Sequence, residues 1–352
     1  MSRPPLHTPL CDLLGMTHPI VQTGMGWVAT PELVAAVSEA EAFGFLAAAT
    51  IPPGEVDAAI LRVQELTERP FGVNFLMDAP GADVITDAII SRGIRAAGYN
   101  RAPDAKLIGR LKDAGVACVP TCGAERHAVK AQQLGADAII VQGGEGGGHT
   151  GSVPTSILVS QAADAVDVPV IAAGGFRDGR GLVAALAYGA AGVAMGTRFL
   201  LTAESPVPKQ TSDRYLAAGV FDVVISHEID GLPQRMIVNE LIRELETKGP
   251  IGKLLFAARN GLAFRKATGA SIPELLRSAL ALRSHERLTR SQLLMAANAP
   301  MLARRAMREG DPVHGYLPSG TVAGAIDDLP TCDELVRRII LEAERTLAAL
   351  AV

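Results

Sequence analysis

The chain has 352 residues and a net charge of −4, with 48% hydrophobic and 20% charged residues. This composition excludes a disordered chain, since disorder requires low hydrophobicity and high charge. It also makes nucleic acid an unexpected partner, because proteins that bind it are usually basic. We therefore expect one large α/β domain or two smaller domains.

Neither a secretion signal nor a membrane span is predicted. Residues 1–10 lack the apolar stretch of a signal peptide. The longest apolar run, 182–195, is shorter than the roughly 20 residues that a spanning helix needs. The four cysteines (Cys11, Cys118, Cys122 and Cys332) lack zinc-site spacing, which indicates reduced thiols. We expect a cytoplasmic protein without a metal site.

Eight short apolar runs predict β-strands, and helical patterns with capping signals separate them. The predicted strands are Pro19–Gln22, Gly44–Ala48, Phe71–Asn74, Ala96–Tyr99, Val116–Val119, Ala138–Gln142, Val170–Ala173 and Gly192–Met195. Eight evenly spaced strand–helix units favour an α/β fold of the (β/α)8 TIM barrel type over a doubly wound sheet. In such a barrel, functional residues follow the carboxyl ends of the strands.

The composition changes after Ala218. Residues 251–310 carry eleven basic and three acidic residues, a net charge of +8. Helical periodicity in Pro273–Leu282 and Ser291–Met307 predicts a helical insertion, and Thr331–Leu350 predicts a final helix. We predict a barrel over residues 1–225, a helical cap or substrate region over 226–330, and a C-terminal helix over 331–352 that returns to the barrel.

A glycine-rich loop, Gln142–Gly151, follows the sixth predicted strand and contains His149. So many glycines cost backbone entropy and are tolerated where the backbone must approach a ligand closely. His149 is the catalytic candidate, because imidazole exchanges protons near neutral pH. N–H groups of residues 143–148 are candidate donors to an enolate.

Three further glycine loops follow the first, seventh and eighth predicted strands. Glycines after strands seven and eight are typical of the phosphate site of a TIM barrel. Polar amides at the ends of strands three and six are placed to bond the edge of a ring. The candidate cofactor-binding residues are Gly24, Met25, Gly26, Asn74, Gln142, Gly147, Gly148, Ala173, Gly174, Gly175, Met195, Gly196 and Thr197. A phosphate and a planar polar ring together predict FMN. A dinucleotide is not favoured, because no GxGxxG fingerprint follows the first strand.

These motifs resemble the nitronate monooxygenase (2-nitropropane dioxygenase) family of FMN-dependent barrels, and flavin-dependent enoyl-acyl-carrier-protein reductases share the pattern. The resemblance rests on the loops around Gly24, Asn74, His149, Gly174 and Gly196, and it covers residues 9 to about 235. It implies FMN at these loops and an acid/base role for His149. Many family members have a lysine after the fifth strand, where this chain has Pro120-Thr121-Cys122.

A second resemblance extends through the C-terminal region. Residues 21–28, 142–151, 294–298 and 319–330 are similar to actinobacterial flavin-dependent reductases of steroid C/D-ring degradation. It implies reduction of a C=C bond in a bicyclic indene-carboxyl-CoA thioester, with NAD(P)H as reductant. The basic segment 251–310 suits the phosphates of such an anionic substrate; it also suits a solvated helical face or a homodimer interface. The alternatives are a nitronate monooxygenase, a quinone reductase and a non-catalytic flavin-binding protein.

Overall fold

A computed structural model of the protein describes residues 6–100, 103–249, 252 and 290–351, with the backbone alone for 290–298. These residues form two compact units. The barrel unit contains the described parts of 1–146, 150–206 and 325–352. The second unit contains 147–149 and the described parts of 207–324. The domain limits predicted at residues 225 and 330 stay a prediction.

Eight parallel strands of the barrel unit close into a barrel, as predicted. They are β1 (Ile20–Gln22), β2 (Phe43–Ala47), β3 (Gly72–Phe75), β4 (Ala96–Asn100), β5 (Ala117–Cys122), β6 (Ile139–Gln142), β8 (Val170–Ala173) and β9 (Gly192–Met195). Neighbours pair in this order, and β9 returns to pair with β1. All eight predicted strands are therefore confirmed, and the last two agree residue for residue.

Small apolar residues make the strands and the barrel interior. All four residues of β8, Val-Ile-Ala-Ala, are buried, as expected for parallel strands that are covered on both faces. Inside, Ala96, Ala138 and Ala194 belong to one buried cluster with Phe43 and Phe45. The two phenylalanine rings meet edge to face at 5.1 Å.

Helices alternate with the barrel strands. They are α1 (Pro9–Leu14), α2 (Pro31–Glu39), α3 (Val56–Leu66), α4 (Ala82–Ser91), α5 (Ala105–Asp113), α6 (Glu125–Gln133), α7 (Thr155–Ala165), α8 (Gly179–Ala187), α9 (Thr197–Leu200) and α13 (Cys332–Leu350). Two of these helices begin with a side-chain cap: the Asp104 carboxylate accepts from the N–H groups of Lys106 and Leu107, and Asp178 accepts from Gly181. These caps satisfy N–H groups that the helix itself leaves without partners.

The C-terminal helix α13 begins with a reciprocal capping box between Thr331 and Glu334. It packs closely on α8, where a Cβ on Gly179 would lie 2.3 Å from the carbonyl oxygen of Ile339. The N–H of Gly179 donates to the Glu342 carboxylate at 2.8 Å. The helix predicted over 331–350 is therefore present and lies against the barrel helices.

The second unit contains a small antiparallel sheet that the sequence analysis did not predict. Its strands are β7 (Gly148–His149), β10 (Val223–Ser226) and β11 (Gln234–Ile237), in the order β10-β11-β7. Its helices in the described ranges are α10 (Lys209–Leu216), α11 (Glu240–Thr247) and α12 (Arg290–Met307). Strands of two to four residues carry too short an alternation to be recognised in the sequence.

The basic segment is described only in part. Helix α12 confirms the helix predicted over 291–307, whereas the one predicted over 273–282 lies outside the described residues. Of the basic residues whose side chains are described, Arg304 pairs with Glu309 at 3.3 Å and Arg305 with Asp311 at 2.7 Å. Within the described ranges, no helix is both long and apolar enough to cross a membrane.

Candidate active site

The predicted cofactor residues of the barrel unit lie at the carboxyl ends of five strands. Strand register places Gln142 beside Ala173, and Gln22 beside Met195, so these ends lie at one level. The structure thus brings to one edge Gly24, Met25, Gly26, Asn74, Gln142, Ala173, Gly174, Gly175, Met195, Gly196 and Thr197. This is the edge where TIM barrels place their active sites.

Two glycines make room for the Asn74 side chain at this edge. A Cβ on Gly24 would lie 2.4 Å from the Cβ of Asn74, and one on Gly98 would lie 2.9 Å from its Nδ2. Any side chain at either position would displace the amide. The absence of a side chain at Gly24 therefore makes room for Asn74, and its predicted contact with a cofactor stays a prediction.

The loops after β8 and β9 expose backbone. Gly174 and Gly175 have φ values of 102° and 84°, a region that favours glycine. A Cβ on Gly174 would also lie 3.0 Å from the backbone nitrogen of Gly146. After β9, a Cβ on Gly196 would lie 3.5 Å from the sulfur of Met25, so this loop adjoins the one after β1.

One residue in the loop after β1 adopts an unexpected conformation. Trp27 has a φ of 66°, which is rare for a bulky residue. Its N–H donates to the Thr50 hydroxyl at 3.1 Å, which holds the turn in place. Backbone strain of this kind concentrates at functional sites. This backbone conformation of Trp27 was not predicted from the sequence.

The first part of the glycine-rich loop is tied to α7. The Glu145 carboxylate accepts from the N–H of Thr155 at 2.8 Å and from the Thr155 hydroxyl. A carboxylate at the start of a helix also interacts favourably with the helix dipole. Glu145 thus anchors the loop to the barrel unit, a role that the sequence analysis did not assign.

The expectation that this loop donates to an enolate is wrong for three of its N–H groups. Those of Gly143, Gly144 and Gly146 donate to carbonyl oxygens of the protein, at 3.0, 2.7 and 3.0 Å. A backbone N–H carries a single hydrogen, so these groups are already used in holding the loop together.

Two buried acceptors at the same edge lack donors among the described residues. They are Oε1 of Gln22, at the end of β1, and Oδ1 of Asn100, at the end of β4. An unmatched buried acceptor costs about 1–3 kcal/mol, so a ligand that donates hydrogen bonds would be favoured here. Asn100 is paired in register with Thr121, at the end of the neighbouring strand β5. The glycine backbone after β8 and β9 fits the phosphate of FMN. The Asn74 amide and the two buried acceptors fit its polar ring.

His149 lies in the second unit, where its Nε2 is 2.6 Å from Oδ2 of Asp230. The imidazole is half exposed, with 50% of its side chain accessible, whereas the Asp230 side chain is 10% accessible. The pairing of β7 with β11 fixes the position of His149 opposite Gln234. The histidine is therefore held by both its strand and a nearly buried carboxylate.

The carboxylate of Asp230 has further donors. The N–H of Leu232 donates to Oδ1 at 3.0 Å, and the Gln234 side chain also donates to this carboxylate. Burial raises the pKa of Asp230, but the hydrogen bonds and the charge of His149 outweigh it and hold that pKa below its usual value. Asp230 is therefore an anionic partner for His149 at neutral pH.

A buried tyrosine completes this chain of contacts. The Tyr316 hydroxyl donates to Oε1 of Gln234, which orients the amide so that its NH₂ group faces Asp230. Burial raises the pKa of Tyr316 further above neutrality, so its hydroxyl stays protonated. We call His149, Asp230, Gln234 and Tyr316 the histidine relay. Only His149 was predicted; its partner is 81 residues away, and no local pattern connects them.

Gly147 and Gly148 belong to the second unit with His149. A Cβ on Gly147 would lie 2.6 Å from the backbone nitrogen of Gly320, so this glycine has a packing reason inside the unit. Gly148 has a φ of 68° at the turn that leads into His149. Their predicted contact with a cofactor stays a prediction.

The four cysteines are buried and make no disulfide. Burial raises the pKa of Cys122 to about 11 and that of Cys118 to about 12, so these thiols stay protonated and unreactive. Across the part of the chain that the structure describes, no group of His, Cys, Asp and Glu side chains is arranged to hold a metal ion.

Sequence comparisons find relatives that align with most of this chain. The family model for nitronate monooxygenase matches residues 7–89 and 95–342. Proteins of Rhodococcus jostii and Mycobacterium tuberculosis, each named (3aS,4S,5R,7aS)-5-hydroxy-7a-methyl-1-oxo-octahydro-1H-indene-4-carboxyl-CoA dehydrogenase, are both 49% identical to it. The alignments cover 98% and 96% of this chain, and the same shares of the relatives. A probable nitronate monooxygenase of Staphylococcus saprophyticus is 31% identical over 68% of this chain and 81% of its own length.

Solved structures also match most of this chain. FabK from Thermotoga maritima matches with a TM-score of 0.80 at 32% identity, covering 98% of each chain. A nitroalkane oxidase from Streptomyces ansochromogenes matches with a TM-score of 0.75 at 27% identity, covering 97% of this chain and 99% of its own. Both matches include the barrel and the C-terminal region.

Proposed function

Because the chain belongs to the nitronate monooxygenase family of flavin-dependent oxidoreductases, we propose that it interconverts a saturated and an α,β-unsaturated bicyclic CoA thioester. The observation that carries this proposal is the 49% identity, across 98% of both chains, to an indene-carboxyl-CoA dehydrogenase. That name describes oxidation of the octahydro ring system. The sequence analysis predicted the reverse direction, reduction of the C=C bond, within the same pair of compounds.

We propose that FMN is the flavin and that the barrel edge binds it. The backbone around Gly174, Gly175 and Gly196 would take the phosphate, and Asn74 and Gln22 would bond polar atoms of the ring system. The steric cradle of Asn74 and the buried acceptor of Gln22 support this assignment. When bound, FMN would accept a hydride from a carbon atom of the substrate or donate one to it.

His149 would move the proton that accompanies this hydride. In desaturation the imidazole removes the α-proton beside the thioester while the β-hydrogen leaves as hydride, and a C=C bond forms. In reduction the imidazolium returns the proton to the α-carbon, while hydride adds to the β-carbon. One residue thus serves both directions, as base in the first and as acid in the second. NAD(P)H, or its oxidised form, would exchange electrons with the flavin.

The first test is the purified protein with the octahydro-indene-carboxyl-CoA thioester and an artificial electron acceptor. We expect a yellow protein that absorbs at about 450 nm and turns over this thioester. His149→Ala should lower turnover by about 10²–10⁴-fold while the flavin stays bound. The control is His127→Ala, at an exposed position on α6, which should behave as the wild type. A colourless protein, or wild-type turnover in His149→Ala, would contradict the proposal.

A second candidate is oxidation of alkyl nitronates with O2. The family model and the 31% identical staphylococcal relative favour it. Oxygen uptake with propyl-2-nitronate, in the absence of any CoA ester, separates the two activities. If nitronate turnover exceeds thioester turnover in kcat/KM, the first proposal is replaced by the second.

A further inference from the structure

We infer that Asp230 is the positioning residue of His149: it fixes the protonated nitrogen of the imidazole and leaves Nδ1 as the nitrogen that exchanges the proton with substrate. This inference rests on the proposed function, in which His149 is the acid and base. It goes beyond that function by assigning the two ring nitrogens and a residue that the sequence analysis did not single out.

The contact itself supports the assignment of the nitrogens. Oδ2 of Asp230 lies 2.6 Å from Nε2 of His149, a short contact of the kind made by charge-assisted hydrogen bonds. An ionised carboxylate only accepts, so Nε2 must carry the hydrogen. In the neutral imidazole the other nitrogen, Nδ1, is then the basic one.

The burial of Asp230 makes its position well defined. Its side chain is 10% accessible, and Oδ1 is held by the N–H of Leu232 at 3.0 Å. The amide of Gln234 bonds the same carboxylate, and the Tyr316 hydroxyl fixes that amide from the other side. Because Gln234 is itself paired in register with His149, strand β11 positions both the histidine and the amide that bonds its carboxylate partner.

Among the described residues, His149 and Tyr316 are the titratable groups that face Asp230. Arg235, next to Gln234 on β11, is paired with Gly148 and projects from the opposite face of the sheet. The lowered pKa of Asp230 agrees with a carboxylate that stays ionised across the range in which imidazole titrates.

The variants Asp230→Ala and Asp230→Asn separate geometry from charge. Asp230→Ala removes the acceptor, and we expect kcat to fall by about 10- to 100-fold, as for other carboxylates that orient an imidazole. In Asp230→Asn the amide oxygen can still accept, but the anion is lost. We therefore expect the pH midpoint of kcat/KM to move to lower pH, because the imidazolium loses its stabilising charge. FMN content should stay the same in both variants.

A matched control removes a carboxylate from the same unit. Asp213→Asn alters an exposed carboxylate on α10 that pairs with Lys209 at 2.8 Å. It should leave kcat and the pH midpoint unchanged. If Asp213→Asn shifts the midpoint as far as Asp230→Asn does, the effect is a general one of net charge, and the inference fails.

A spectroscopic readout separates this inference from the proposed function. Imidazole-15N spectra of the holoenzyme should show the Nε2–H tautomer for His149, identified by the signal that His149→Ala removes. Asp230→Ala should convert it to a mixture of tautomers. If Asp230→Ala does not fold, the pH midpoint of Asp230→Asn still tests the positioning role. An unchanged tautomer in Asp230→Ala, or an unchanged midpoint in Asp230→Asn, overturns the positioning role. Wild-type turnover in His149→Ala overturns the proposed function instead.

Discussion

The carboxyl edge of the barrel and the histidine relay differ in the kinds of residue that form them. The barrel edge carries many glycines, with positive φ values at Gly174 and Gly175, beside a few amide side chains such as that of Asn74. The histidine relay consists of four polar side chains, and three of them are nearly buried. A ligand held by backbone depends on steric space, whereas a proton held by side chains depends on hydrogen bonds and charge. The two regions should therefore respond to different substitutions.

The largest expected effect tests the barrel edge. Gly174→Val places a branched side chain at a φ of 102° and within 3.0 Å of Gly146. Strain and overpacking together should cost about 4 kcal/mol at this loop. We expect loss of the 450 nm band, measured as FMN bound per chain after purification. His149→Ala, in contrast, should keep its flavin.

The matched control for Gly174→Val is Gly109→Ala. Gly109 lies in helix α5, and a Cβ there would meet nothing within 4 Å. This change should stabilise the protein by about 0.5–1 kcal/mol, because alanine is the better helix former. Full flavin content in Gly174→Val would mean that the loop after β8 does not need its backbone conformation.

The second largest expected effect is the loss of stability when a charged pair in the barrel unit is broken. The Arg198 side chain is 5% accessible and donates to Oδ1 of Asp328 at 2.7 Å. Asp328→Ala should cost about 3 kcal/mol, since it leaves a buried cation without its anion. The control Arg338→Ala removes an exposed partner of the same carboxylate and should cost less than about 1 kcal/mol.

The Arg198–Asp328 pair also tests whether a charged pair near the barrel edge affects the pH midpoint of turnover, as Asp230 of the histidine relay is expected to. Asp328→Ala should lower the free energy of unfolding, measured in urea, without moving the pH midpoint of turnover. A shifted midpoint would show that the barrel unit contributes to proton transfer through Arg198, and the comparison between the two regions would break down.

Two tyrosines of the second unit give a smaller effect. Tyr316→Phe leaves Oε1 of the buried Gln234 without its donor, at a cost of about 2 kcal/mol. Tyr215→Phe removes a similar bond, from the hydroxyl to the Pro318 carbonyl at 2.7 Å. Both variants should lose comparable stability. Tyr316→Phe should in addition lower kcat, because Asp230 loses its orienting amide; equal kcat values would contradict a functional relay.

The sequence was sufficient for the barrel and much less so for the histidine relay. Most barrel strands are short, largely apolar runs, and the loops after β1, β6, β8 and β9 carry glycine, so both features are visible locally. Asp230 and Tyr316 are ordinary residues in loops and short segments, 81 and 82 residues from their partners His149 and Gln234. Such pairs are formed by tertiary structure, which no local periodicity encodes. The same limit explains why the two-residue strand β7 was not predicted.

The smallest expected effect is the change in the free energy of unfolding as the pH is lowered. The pKa of Asp230 and that of Asp328 are both lowered, since hydrogen bonds and cations outweigh burial. A carboxylate with a lowered pKa stabilises the fold above its unfolded pKa of about 3.9, and this contribution disappears as pH falls through the folded pKa. The stability gap between wild type and Asp230→Asn, or Asp328→Asn, should thus narrow below about pH 4.

Urea unfolding at a series of pH values measures this gap for each variant. Asp328 also pairs with the exposed Arg338, and solvent and salt screen that pair. Asp230 is held in a nearly buried network, where added salt has less effect. We therefore expect salt to reduce the gap for Asp328→Asn more than for Asp230→Asn. Equal salt sensitivity would show that the carboxylate of the histidine relay is hydrated, and its ability to fix the imidazole would then be correspondingly weaker.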